Sequence, residues 1–152
     1  MCLTVTSRYH NATDTPHARI AYAPLLVWKA LWKPYDRWRG VYQNYEWTFN
    51  TLHTAKFVIE QSYNQRETYI TEGLHAFRTQ KAAEFEVRAY DNHCVFPAII
   101  PAGTALYVGE NLDIVSEALI VYETMDALRA ARPHFEHTEC APLHFSTPSK
   151  HG

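Results

Sequence analysis

Thr68-Tyr69-Ile70-Thr71-Glu72-Gly73-Leu74-His75-Ala76-Phe77 opens the stretch that decides the fold. Its first residues are β-prone, and Gly73 breaks or bulges the strand. Thr79 is a good N-cap for a helix from Gln80 to about Tyr90, with Ala82, Phe85, Ala89 and Tyr90 on its inner face. Cys94-Val95-Phe96-Pro97-Ala98-Ile99-Ile100 is then a mostly apolar run, as expected of a strand covered on both faces, with Pro97 as its flaw. Pro101-Ala102-Gly103-Thr104 is a tight turn, and strands follow at Leu106–Val108 and Ile114–Tyr122. The order strand, helix, strand, strand, strand predicts an α+β domain.

Working outward, Leu3–Thr6 alternates as a short edge strand, and residues 7–16 read as loop. A strand starts after Pro24, with Leu26, Trp28, Ala30 and Trp32 on one face. Val27, Lys29 and Leu31 form the other face, which the lysine marks as the outer one. Val41–Phe49 alternates again and is expected to pair with that strand across a longer loop. Residues 51–61 read as irregular chain ending in a short strand. Thr124 caps a second helix, Met125–Ala131, with Asp126 early, Arg129 and Arg132 late, and Pro133 as the stop. The prediction is a single domain over residues 1–132: a twisted, mainly antiparallel sheet of about six strands with one or two helices. Residues 133–152 are expected to be a flexible tail.

Composition fits a packed core, with 47 % hydrophobic and 14 % aromatic residues among 152. A formal charge of -2 gives no field for nucleic acid or an anionic membrane. No apolar run approaches the roughly 20 residues of a membrane span. No signal-peptide pattern opens the chain, and three cysteines make no disulfide framework, so a cytoplasmic protein is expected.

Three groups of residues have the chemistry of a site. His75 follows the Gly73 break and can act as general acid or base, with Glu117 as a carboxylate partner. Cys2 would gain a neighbouring amine if Met1 were removed. Each has a plain structural alternative: a half-buried histidine and a buried thiol. Tyr42, Tyr45, Trp47, Trp38 and Trp28 form an aromatic cluster that suits a binding surface, with Tyr42, Tyr45 and Trp38 as the binding candidates, although alternating aromatics also build cores. His134, His137, Cys140 and His144 are zinc-ligand types at a spacing that matches no paired-knuckle motif, so no metal and no cofactor is expected. Phosphate loops, dinucleotide fingerprints and nucleophile elbows are absent.

Gly73-Leu74-His75-Ala76-Phe77, Ile99-Ile100-Pro101-Ala102-Gly103-Thr104-Ala105-Leu106-Tyr107-Val108-Gly109 and Ile114-Val115-Ser116-Glu117-Ala118-Leu119-Ile120 together resemble a group of small bacteriophage and bacterial proteins. That group shares a Gly-apolar-His-Ser/Ala-Phe, helix, Ile-Pro-x-Gly-x-x-Tyr-x-Gly pattern. Met1-Cys2-Leu3 and the aromatic strand of residues 41–47 are similar to it as well. The resemblance implies a phage or prophage setting and no particular activity. The Pro-x-Gly-Thr turn and the strand entered by Ser116-Glu117 are also similar to the late strands of ADP-ribosyltransferases, with Arg39-Gly40 in place of their early arginine. This is a fold-level analogy. The expected role is that of an accessory protein that binds a host protein or a small ligand. The rivals are an enzyme on a nucleotide-like substrate and a structural or homo-oligomeric component.

Overall fold

The computed structural model describes residues 3–6, 18–40, 45–61, 67–109, 112–138 and 145–146. Residues 25–32 form its central strand because almost every side chain in that run is apolar and buried, so both faces must be covered. This strand, β3 (Leu25–Trp32), follows β1 (Leu3–Thr6) and β2 (Arg19–Ala21) in the chain. It pairs antiparallel along its whole length with β9 (His93–Ile100), from Leu25↔Ile100 to Trp32↔His93. Pro97 is accommodated inside this pair opposite Trp28, and its carbonyl still accepts from Tyr122 N–H at 3.0 Å. A proline lacks only the donor, so its acceptor side remains usable.

On its other edge β3 meets β8 (Leu74–Phe77) through Trp28↔Phe77. β8 pairs with β11 (Asp113–Ser116), which pairs with β10 (Ala105–Val108) in the hairpin after the Pro101–Thr104 turn. Beyond β9 lies β12 (Ala118–Val121), followed by β5 (Leu52–Thr54). Only Glu117 separates β11 from β12. Its N–H bonds to Ala105 O, and its carbonyl accepts from Ala55 N–H. The run 113–121 is therefore one bent strand that serves two distant sheet positions. It closes β3, β8 and β9 around a shared interior of Leu25, Val27, Leu31, Ala76, Ala98, Ile114, Leu119 and Val121.

The outer face of β3 and β9 carries both helices. Helix α1 (Gln80–Val87) starts at Thr79, whose side chain accepts from Ala82 N–H, and α2 (Met125–Ala131) starts at Thr124 in the same way. Ala83, Val87 and Leu128 meet Leu26, Trp28, Ile99 and Ile120 there. The α1 face differs from the expected one: Phe85 and Tyr90 are exposed, while Ala83 and Val87 are buried. Small side chains let the helix sit close on the sheet, and Phe85 instead stacks under the Arg88 guanidinium, 3.6 Å from its ring.

The α+β class and the antiparallel character are as expected, but the strand number is not. Among the described residues one sheet has eleven strands, and β1, β7 (Glu67–Glu72) and β6 (Val58–Gln61) form a second of three. Many strands are only two to four residues long, too short to leave a periodic pattern in sequence. Of the expected strand over 41–49, residues 41–44 lie outside the described residues. The described part, 45–49, is not a regular strand and contributes a single bridge, Glu46↔Arg39, while β4 (Arg39–Gly40) pairs with β3.

The chain past Pro133 is fastened at its start. β13 (Glu136–His137) lies parallel to β3, and β14 (Phe145–Ser146) pairs with β2. Thr138 is fully buried, with its Oγ1 2.8 Å from both Leu26 O and Arg78 O, while Arg78 Nε donates to Thr138 O. Thr138→Val keeps the shape and removes the hydroxyl, so it is expected to cost about 1–3 kcal/mol in chemical denaturation. An unchanged denaturation midpoint would mean that the hydroxyl does not hold this segment to the sheet.

Candidate functional site

Lys29 lies between Val27 and Leu31, on the face of β3 that points into the closed interior. The side expected to face solvent is therefore the inner one, and Lys29 is 6 % exposed. The correction has a simple cause: a central strand covered on both faces has no outer side on which to place its one charge. Nζ donates to the carbonyl of His75 at 2.5 Å, across the β3–β8 edge. It also sits 4.8 Å from the centroid of the Trp47 indole. Among the described residues no carboxylate pairs with it. Burial penalises the ammonium and lowers its pKa from 10.5 to about 7. At neutral pH the amine is poised between its charged and uncharged forms.

Trp47 brings two more groups to the lysine. The His53 ring lies 4.5 Å from the Trp47 ring, and the Tyr45 ring meets both at 5.4–5.5 Å. His53 is 9 % exposed on β5. Its Nδ1 is 3.0 Å from Tyr45 Oη, and its Nε2 faces both the N–H and the carbonyl of Thr48, at 3.2 and 3.0 Å. A neutral ring is satisfied in either tautomer: Nε2–H can donate to Thr48 O while Nδ1 accepts from tyrosine, or Nδ1–H can donate while Nε2 accepts from Thr48 N–H. Tyr45 is the solvent-facing member, 41 % exposed. Next to this group Trp38 packs edge-on against Phe49 and Phe96, with Lys33 Nζ 5.3 Å from its ring centroid. The backbones of the two aromatic groups are joined by Trp47 N–H to Trp38 O and Gly40 N–H to Tyr45 O. Trp47 belongs to the closed interior, and Trp38 and Phe49 pack against it.

His75 points the other way. Leu74 and Ala76 belong to the interior, whereas the His75 ring meets Phe77 edge-on and lies with Asp113 on the outer face. Its Nε2 is 3.6 Å from Asp113 Oδ2, and both side chains are largely buried. Desolvation lowers the His75 pKa, with Asp113 opposing it, so the ring is neutral at neutral pH. The carboxylate beside His75 is thus Asp113 and not Glu117, which occupies the bend between β11 and β12. Antiparallel register places Asp113 diagonally across from His75, two residues before its direct partner Val115.

The other expected candidates fare differently. Tyr45 lies at the lysine site, and Trp38 lies beside it. Tyr42, Cys2, Cys140 and His144 fall outside the described residues. His134 and His137 are exposed, and among the described residues no three His, Cys, Asp or Glu side chains are grouped to hold a metal. Trp47 belongs to the expected aromatic cluster, whereas Lys29, His53 and Asp113 are site residues that the sequence does not single out. The one sequence signal for Lys29 is its place inside the apolar run of residues 25–32. No helix among the described residues is long and apolar enough to cross a membrane. Comparison with protein-family models, curated proteins and solved structures finds no match to this chain.

Proposed function

We propose that the protein is a small accessory protein that binds a planar, anionic, nucleotide-like small molecule at the Lys29–Trp47–His53–Tyr45 group. One observation carries this reading: a buried lysine amine, without a carboxylate partner among the described residues, faces an aromatic group that reaches solvent through Tyr45. A buried cation is costly unless something compensates it. An anionic ligand would supply the missing charge, and the rings of Trp47, Tyr45 and His53 would supply stacking faces. The resemblance to small phage and bacterial proteins supports an accessory role in a bacterial host. A second reading, catalysis, rests on the His75–Asp113 pair, which touches the same lysine through the His75 carbonyl.

The test is a titration with mononucleotides, followed through the indole NMR signal of Trp47. Saturable shifts of that signal are expected, and Tyr45→Ala is expected to weaken binding about tenfold through lost stacking. A Trp47 signal unmoved at millimolar ligand, in a folded protein, would sink the proposal.

A further inference from the structure

We propose that Lys29 binds its ligand covalently, as an imine to an aldehyde-bearing, planar anionic small molecule. This rests on the reading of the Lys29 group as a ligand site, and it adds the reactive function that the ligand must carry.

The argument starts from the hydrogen bonding of the amine. One N–H of Lys29 is held by the His75 carbonyl, and the Trp47 face lies beside Nζ. A carbonyl acceptor is satisfied by a neutral amine as well as by an ammonium, so this anchor does not require the charge. The surroundings are apolar: Val27, Leu31 and Trp47 are buried with the lysine. Desolvation, with no carboxylate pairing the amine among the described residues, favours the uncharged form, which carries the lone pair that attacks carbonyl carbon. The other described lysines, Lys33, Lys56 and Lys81, are exposed.

The step balances without an oxidant or reductant. The Nζ lone pair adds to the aldehyde carbon and gives a carbinolamine. The former carbonyl oxygen then leaves as water, carrying away the two amine protons, and a C=N bond remains. Loss of water needs a proton donor and acceptor close by. We assign this transfer to His53 and Tyr45, which are hydrogen-bonded to each other and, like Lys29, pack on the Trp47 indole.

Pyridoxal 5′-phosphate, which is planar, anionic and an aldehyde, serves as the probe. The full chain is incubated with it at pH 7, reduced with borohydride to fix any imine as a secondary amine, and mapped by peptide mass spectrometry. Lys29 is expected to be modified about tenfold faster than Lys33, Lys56 or Lys81, because burial lowers the pKa of its amine to about 7 and so supplies the free lone pair. A folded Lys29→Arg variant is expected to lose this adduct and keep only slow surface labelling. Adducts on Lys33, Lys56 and Lys81 with Lys29 unmodified, while the probe still shifts the Trp47 signal reversibly, would overturn covalent capture and leave the binding reading intact. Absence of both the Lys29 adduct and the Trp47 shift would overturn both.

Discussion

Lys29→Met is expected to stabilise the protein by about 2 kcal/mol at pH 7, because an isosteric apolar side chain removes a buried charge that no carboxylate among the described residues compensates. In thermal unfolding this corresponds to a rise of roughly 5 °C for a chain of this size. The sign of the pH dependence follows from the lowered pKa. Below about pH 7 both the native and the unfolded chain hold the proton, and the native state bears the full cost of burying the ammonium. Between about 7 and 10.5 the unfolded chain keeps its proton while the native state has released it, so stability rises with pH across that window. The fall from 10.5 to about 7 sets the size of this rise at no more than about 5 kcal/mol. The methionine variant should lose the rise between neutral and alkaline pH. His75 acts in the same direction at lower pH. Its pKa lies below the ordinary 6.5, so the unfolded chain takes up a proton first and stability drops as pH falls below that value. Wild-type protein is therefore expected to be more stable at alkaline than at neutral pH, and least stable below neutrality. A methionine variant that is less stable at neutral pH, with the alkaline rise intact, would show that Lys29 contributes packing or hydrogen bonding greater than the cost of its charge.

Gly73→Ala is expected to destabilise the fold by roughly 3 kcal/mol or more, from two independent causes. The backbone at Gly73 has φ +144°, which a side chain rarely adopts. An added Cβ would also stand 2.5 Å from Val115 Cγ2 and 3.1 Å from Phe57 Cδ1. Val115 lies on β11 directly opposite His75, so the strain falls beside the His75–Asp113 pair. Gly103 is the internal control. Its φ is +83°, but a Cβ there meets nothing within 4 Å, so Gly103→Ala should cost only the backbone strain of about 1 kcal/mol. Equal losses at the two glycines would mean that the close approach at Gly73 relaxes without cost.

Local features of the fold were readable in advance. Thr79 and Thr124 cap their helices as their side chains suggest, and Pro101–Thr104 makes its turn. These features depend on residues adjacent in sequence. Glu117 illustrates what was hidden. The apolar run 114–122 looks like one strand, and nothing local signals that its halves join different neighbours. Lys29 was misplaced for a related reason. In an alternating strand a lysine marks the wet face, but that rule fails where helices cover one side and the closed sheet covers the other. The group around Trp47 draws on residues 29, 45, 47 and 53, brought together by strand pairing rather than by spacing. Tyr45 and Trp38 were legible because aromatic density stands out in any sequence. Asp113 was not, because its partnership with His75 depends on register.

The central claim is that Lys29 sits in the interior with no carboxylate among the described residues compensating its charge, and isotope-labelled lysine NMR across a pH series measures this directly. A side-chain signal, assigned by its loss in Lys29→Arg, should titrate with a midpoint near 7. A midpoint at the ordinary 10.5 would contradict the account, because the amine would then be solvated or paired with an anion.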